Sequence, residues 1–322
     1  MKVAYLLRGK PDHRYRIARV PDHPPHVIIE APADGVYTPA QLAQVADVDA
    51  LLVSNGPVNA QVLAAAKNLK IVQRTGAGTD VLDLEAITRR GVPACNNRGT
   101  NSRRVADFYL AYLLNLMRRA PWLYAHTAAL RWDEARLAAQ QGLELEGKRL
   151  GIVGMGAIGF QLARRAHACD MEIVYHNRRP APSEQAVAAR RLPLDELLGT
   201  ADAVAVCAPL TEETRGMIDA RALALMKPSA YLICCARGGI VDEAALREAL
   251  EAGRLAGAGI DNYTHEPLLP DNPLVGAPNA LLSAHNASTV ADGSMRSLLW
   301  ALENVRAYVE DGVRPRNVLN GL

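Results

Sequence analysis

Short apolar runs alternate with helix-patterned stretches along the first hundred residues. VAYLL, HVIIE, ALLVS and KIVQRTG have the nearly unbroken apolar character of buried strands. PAQLAQVA and NAQVLAAAKN space their apolar residues at helical intervals. This alternation predicts a small parallel-sheet domain. The pattern then changes, and NSRRVADFYLAYLLNLMRRAPWLYAHTAAL reads as long helices. From Lys148 the alternation resumes. RLGIVG, MEIVYH, DAVAVCA, AYLICCA, AGAGID and NALLSAH read as strands, with AIGFQLARRAHAC, LDELLGTA, ARALALMKP and DEAALREALEAG as the helices between them. Strand, helix and strand repeated this often imply an α/β doubly wound parallel sheet with right-handed crossovers. A last helix, SMRSLLWALENVRAYVEDG, is expected to end at Gly312.

Composition narrows the class. The chain has 322 residues, 49% of them hydrophobic, enough for two domains with ample cores. A formal net charge of +2 argues against general nucleic-acid binding. No run approaches the roughly 20 apolar residues that a membrane-spanning helix needs. The apolar run in MKVAYLLRG is too short for a signal peptide and reads as a first strand. The five cysteines have no regular spacing, no CxxC and no Cys/His cluster of zinc type, so no metal is expected. Reduced thiols in the cytoplasm are the expectation. Arginine doublets recur at 89–90, 103–104, 118–119, 164–165 and 190–191, and most read as solvated helix faces.

One glycine pattern carries chemistry. Gly154-Met155-Gly156-Ala157-Ile158-Gly159 follows the strand LGIVG and opens a helix. In that context the glycines permit a tight turn and close backbone approach to a pyrophosphate. The helix N-terminus adds amides and partial positive charge. The next strand ends in IVYHNRRP, where an acid would accept from the ribose 2′-OH of NAD(H). No acid is present. Asn177, Arg178 and Arg179 stand there instead. Two arginines can hold a 2′-phosphate by charge-assisted hydrogen bonds, so the stretch favours NADP(H). The alternative is a surface arginine pair in a site that takes NAD(H) through Asn177 and the backbone.

Three later segments, CARGGIVDE (235–243), AGAGIDNYTHEP (256–267) and LLSAHNAS (281–288), resemble the D-isomer-specific 2-hydroxyacid dehydrogenases. RTGAGTDVLD, NSRRVAD, LEGKRLGIVGMGAIG and APLTEETRGMI also look like family segments in family order, so the resemblance covers nearly the whole chain. It implies two Rossmann-like domains with the active site in the cleft between them. The substrate domain would be discontinuous, 1–100 and 290–322, and 101–289 would bind the dinucleotide. It also implies a catalytic Arg, Glu and His, matched by Arg237, Glu266 and His285.

The chemistry asks for the same three types. A 2-oxo acid carries a carboxylate and a ketone, and an arginine can bridge both while polarising the C=O. A histidine must give the ketone oxygen a proton as hydride arrives. A carboxylate beside the imidazole favours its charged form and holds its tautomer. By resemblance, the backbone near Ala77-Gly78 would meet the substrate carboxylate and Asp261 would accept from the nicotinamide amide. Ala208, Pro209, Cys235 and Ala236 would line the cofactor. Trp132 lies where some members send an aromatic toward the neighbouring subunit's site, and ordinary interface packing is the alternative.

The chain departs from the family pattern around its histidine. Ala284 replaces a common Pro, and Asn286-Ala287 replaces Ile-Gly. The segment DNYTHEP stands for a DVFEPEP-like one, placing His265 beside the catalytic acid. The expected activity is NAD(P)H-dependent reduction of a small 2-oxo acid, with glyoxylate and hydroxypyruvate the first substrates to try and a homodimer the family assembly. Rival readings are formate or phosphite oxidation on the same scaffold, and a cofactor-sensing protein like the C-terminal binding protein corepressors.

Overall fold

The computed structural model describes residues 1–8, 11–182 and 184–322. The chain divides into two compact units, Met1–Asn101 with Val290–Leu322, and Ser102–Thr289.

The first unit carries five strands: β1 (Val3–Leu7), β2 (His26–Glu30), β3 (Ala50–Val53), β4 (Ile71–Arg74) and β5 (Ala94–Cys95). All pair in parallel, in the order β2-β1-β3-β4-β5. Every residue of β1 and β3 is buried, because both faces of the sheet are covered. That is why these strands read as continuous apolar runs rather than alternating ones. Four helices join the strands: α1 (Pro11–Ile17), α2 (Pro39–Gln44), α3 (Ala60–Ala65) and α4 (Leu84–Arg89). Their starts are written locally. Thr38 and Gln41 form a capping box around Pro39, and Asn59 and Asp83 accept from the Val62 and Ala86 amides.

The second unit opens with three helices, α5 (Ser102–Met117), α6 (Ala120–Ala128) and α7 (Trp132–Gln140). The long helical stretch of the sequence is thus broken once, at Arg119, and ends at Leu130 before α7 begins. Arg119 and Leu130 both adopt left-handed conformations, and a proline sits in the first turn of α6.

The strands that follow are β6 (Arg149–Val153), β7 (Glu172–His176), β8 (Arg190–Arg191), β9 (Ala203–Val206), β10 (Tyr231–Cys234), β11 (Gly257–Ile260) and β12 (Ala280–Leu282). Between them lie α8 (Ala157–His167), α9 (Leu194–Thr200), α10 (Ala220–Leu225) and α11 (Glu243–Glu251). The sheet is all parallel, in the order β12-β11-β10-β9-β6-β7-β8. This is the Rossmann order extended by one strand, and the first unit has the related 2-1-3-4-5 order. Alternation along each strand feeds two cores. Val204 and Val206 enter one, and Ala203 and Ala205 the other.

Two sequence readings need correction. Arg190-Arg191 is the short edge strand β8, not a helix face. The last helix, α12 (Ala291–Val309), starts three residues before Ser294 and stops before Gly312, whose φ of +68° cannot continue it. Among the described residues no helix is long and apolar enough to cross a membrane.

Candidate active site

The strand order of the second unit reverses between β6 and β9, and the glycine loop leaves β6 at that point. Each glycine there has a separate physical role. Gly154 has φ +101°, and a Cβ on it would lie 2.6 Å from the Ala208 nitrogen. A Cβ on Gly159 would lie 2.4 Å from the Gly154 carbonyl oxygen, so only glycine lets α8 sit this close to the loop. Gly156 differs, with open space where its Cβ would be. Helix α8 opens on Gly156 without a side-chain cap, and its first bond runs from the Phe160 N–H to the Gly156 carbonyl at 2.9 Å. The cap residue therefore offers the first-turn amides no side-chain acceptor, and the helix dipole favours an anion there. These residues fit a dinucleotide pyrophosphate.

At the end of β7 the Asn177 carboxamide oxygen accepts from the Met155 N–H at 2.7 Å, tying the two loops together. Arg178 and Arg179 are exposed. Two further groups join them. Glu213, in the loop after β9, pairs with Arg178 at 2.9 Å. Arg191, on β8, donates to the Asn177 and Arg178 carbonyls at 3.0 and 2.9 Å. The polar loop TEET and the doublet at 190–191 gave no sequence signal for these contacts.

The other end of the sheet carries the three candidate catalytic residues. Cys234 of β10 is in register with Ile260 of β11, which is in register with Leu282 of β12. Arg237, Glu266 and His285 lie just beyond these three neighbouring strand ends. Side-chain contact is made between two of them. His285 Nδ1 is 2.7 Å from Glu266 Oε2. Burial alone would raise the Glu266 carboxyl, but the hydrogen bond and charge of His285 and the Tyr263 amide outweigh it. The net result lies below the ordinary glutamate value. The ionised carboxylate accepts, so Nδ1 carries its proton and Nε2 is left for other chemistry.

Arg237 sits in a loop that only glycine permits. A Cβ on Gly238 would lie 2.0 Å from the Tyr263 carbonyl group, so the Arg237–Gly238 turn lies directly against the segment that leads to Glu266. The Arg237 Nη1 donates to the Ala236 carbonyl at 2.7 Å. Burial pushes the neighbouring Cys234 thiol up to about 11, so it stays protonated and supplies no nucleophile. His265 is exposed.

The model of the D-isomer-specific 2-hydroxyacid dehydrogenase NAD-binding domain matches residues 110–287, more than half of the chain. A glyoxylate reductase from Korarchaeum cryptofilum is 36% identical over 282 residues, which are 87% of this chain and 85% of that protein. The chain belongs to the D-isomer-specific 2-hydroxyacid dehydrogenase family. A D-3-phosphoglycerate dehydrogenase from Archaeoglobus fulgidus is 34% identical over 283 residues, 87% of this chain but 53% of the relative, so the chain spans about half of that protein's length. Among solved structures, an NADPH-dependent glyoxylate/hydroxypyruvate reductase from Sinorhizobium meliloti, in complex with NADP and malonate, is 29% identical. It superposes with a TM-score of 0.82 over 99% of this chain and 96% of that one.

The remaining positions singled out by this dehydrogenase resemblance are placed as follows. Ala208 lies against Gly154, and the Pro209 carbonyl accepts from Thr214 at 2.6 Å. The Cys235 N–H donates to the buried Tyr109 hydroxyl at 2.9 Å, and that hydroxyl also donates to the Val206 carbonyl. Tyr109 therefore ties the ends of β9 and β10, where Ala208, Pro209, Cys235 and Ala236 begin. Asp261 is 1% exposed and its carboxylate is taken up by the turn that carries His285. In the first unit, the Asn96 side-chain amide donates to the Ala77 carbonyl at 2.7 Å. Across a trans peptide the C=O and the next N–H point in opposite directions. Asn96 thereby fixes the orientation of the Ala77–Gly78 peptide. The doublet Asn96-Asn97 at a strand end was the available sequence signal for this contact.

Proposed function

We propose that this chain reduces a small 2-oxo acid to the D-2-hydroxy acid, with NADPH favoured over NADH and glyoxylate or hydroxypyruvate as substrates. The observation that carries the reading is the Nδ1 contact of His285 with the ionised Glu266 on the adjoining strand end, with Arg237 following the next strand of the sheet. When bound, the nicotinamide supplies the hydride. Arg237 engages the substrate carboxylate and carbonyl, fixing orientation and polarising the C=O as negative charge develops on oxygen. His285 delivers a proton from Nε2 to that oxygen, while Glu266 stabilises the imidazolium and fixes its tautomer. Asp261 supports the nicotinamide end of the site.

The cofactor preference rests on the absence of an acid at the end of β7 and on Arg178 and Arg179 in its place. It is supported by the NADPH-dependent reductase among the similar structures. The test is kcat/KM for NADPH and NADH with hydroxypyruvate and then glyoxylate saturating. We expect NADPH to be preferred, and the double replacement Arg178→Ala/Arg179→Ala to lower kcat/KM for NADPH by roughly 10–100-fold while sparing NADH. A wild-type preference for NADH would reassign the two arginines to surface charge and leave the catalytic reading intact.

We also propose a homodimer in the cytoplasm. Tyr124, Leu130, Trp132 and Leu137 are all strongly exposed on and around α6 and α7, as apolar residues are at an interface. All five cysteines are free, as in a reducing compartment. A monomeric mass by light scattering at micromolar concentration would remove the dimer.

A further inference from the structure

His285 stands at φ +48°, in the left-handed region that few non-glycine residues occupy, although histidine enters it more readily than most. The support comes from one buried residue, Asp261, through its carbonyl and its carboxylate. The His285 N–H donates to the Asp261 carbonyl at 2.9 Å. The Asn286 N–H donates to Asp261 Oδ1 at 2.9 Å, and the Ala287 N–H to Asp261 Oδ2 at 3.0 Å. A third donor to the carboxylate is the Ser283 hydroxyl, bonded to Oδ1.

The direction of the hydroxyl chain is fixed by its end. A carboxylate only accepts, so Ser283 spends its proton on Asp261 and its oxygen is left to accept. The donor that meets it is the Tyr112 hydroxyl, at 2.6 Å, with the Ile260 carbonyl as a second acceptor at 3.2 Å. Burial raises the Tyr112 phenol well above its ordinary value, which keeps it a donor. The chain is built for this contact. A Cβ on Gly259 would lie 2.7 Å from the Tyr112 ring, so the bare glycine lets the tyrosine of α5 cross β11 and reach Ser283. A second hydroxyl, from Tyr263, donates to the Ser283 carbonyl at 2.9 Å.

We propose that Ser283 and Tyr112 are positioning residues for His285, acting through Asp261 to hold the left-handed turn on which the imidazole is mounted. A polarised O–H···O–H···carboxylate relay is cooperative, and here it fixes the rotation of the carboxylate that clamps the two backbone amides after His285. Without the Ser283 hydroxyl, Asp261 turns, the clamp slackens, and the imidazole loses its place against Glu266. Proton transfer to a ketone oxygen is sensitive to displacements of this kind. The proposal rests on the reading of His285 as the proton donor.

The experiment is a double-mutant cycle on the full chain, with kcat, KM for NADPH and thermal midpoint measured together. Ser283→Ala should lower kcat about 10-fold and leave KM for NADPH unchanged, a split that general loosening of the fold does not give. Ser283→Thr, which keeps the hydroxyl, should restore most of the loss. Tyr112→Phe, which removes one oxygen from an intact ring, should lower kcat in the same sense by a smaller factor. The deciding arm combines Ser283→Ala with His285→Ala. If Ser283 acts through His285, its effect disappears in the background that lacks the imidazole. A Ser283→Ala loss that persists undiminished there overturns the proposal, as does a wild-type kcat in Ser283→Ala and Tyr112→Phe. Near-normal turnover in His285→Ala alone would instead overturn the role of His285, a different outcome from failure of the relay.

Discussion

The two ends of the second unit's candidate site are built on opposite principles. At the catalytic end, Asp261 is 1% exposed and engaged by the backbone and hydroxyl donors around it. Gly238 and Gly259 are there because no Cβ fits beside their neighbours. At the adenosine end, the Arg178 and Glu213 side chains are 83% and 67% exposed, and their ion pair is a surface contact. The difference follows from what each end must do. Proton and hydride transfer fail when atoms are misplaced by fractions of an ångström, so their groups stand on buried, braced turns. Recognition of a phosphate works through charge over a longer range and tolerates mobile, solvated side chains.

The contrast breaks most visibly at His285. Its replacement by alanine removes the proposed proton donor altogether, and kcat should fall by roughly 10²–10⁴ with KM for the cofactor little changed. Steady-state kinetics with either oxo acid check this. A fall confined to KM would mean that the residue binds rather than transfers the proton.

Glu266 sharpens the same comparison through pH. Its carboxyl lies below the ordinary glutamate value when folded, with burial opposing the shift and the His285 contact and the Tyr263 amide prevailing. A group depressed in this way contributes stability that is complete above its unfolded value and lost as pH falls through its folded one. The thermal midpoint of the wild type should therefore exceed that of Glu266→Gln near neutrality. The gap should close as pH drops through and below the ordinary glutamate range of about 4.3. A gap that stays constant to pH 3 would mean that the contact with His285 is not what holds the carboxylate.

The two ends also differed in how far they could be read from the sequence. The strands were legible because both sheets are covered on each face, and the glycine loop because Gly154 and Gly159 stand where no Cβ fits. Arg237, Glu266 and His285 were picked out by the family resemblance of three short segments, and each of the three residues follows a strand. Tyr112 was not. It lies 171 residues from Ser283 and shares the apolar face of α5 with Tyr109, Leu113 and Leu116, so it reads as core. Glu213 and Arg191 were missed for a related reason. Exposed charges in polar loops look alike until folding sets one beside another. Local pattern thus reveals what a strand end offers, and only the fold reveals what a distant helix or loop brings to it.

The smallest expected effect tests the adenosine end on its own terms. Glu213 now satisfies the Arg178 guanidinium that a 2′-phosphate would need, so the carboxylate and the phosphate compete for one partner. Glu213→Gln removes the competing charge while keeping the side-chain shape. KM for NADPH should fall by roughly 2–5-fold, the size of an exposed ion pair, and KM for NADH should not move. Because both groups are exposed, the gain should shrink as salt rises from 50 to about 500 mM and the Debye length shortens. If KM for NADH rises instead, Glu213 is accepting from the ribose 2′-hydroxyl and supplies, from the loop after β9, the acid that the end of β7 lacks. Equal change for both cofactors would place Glu213 outside cofactor discrimination and leave the Arg178–Glu213 pair as an ordinary surface contact.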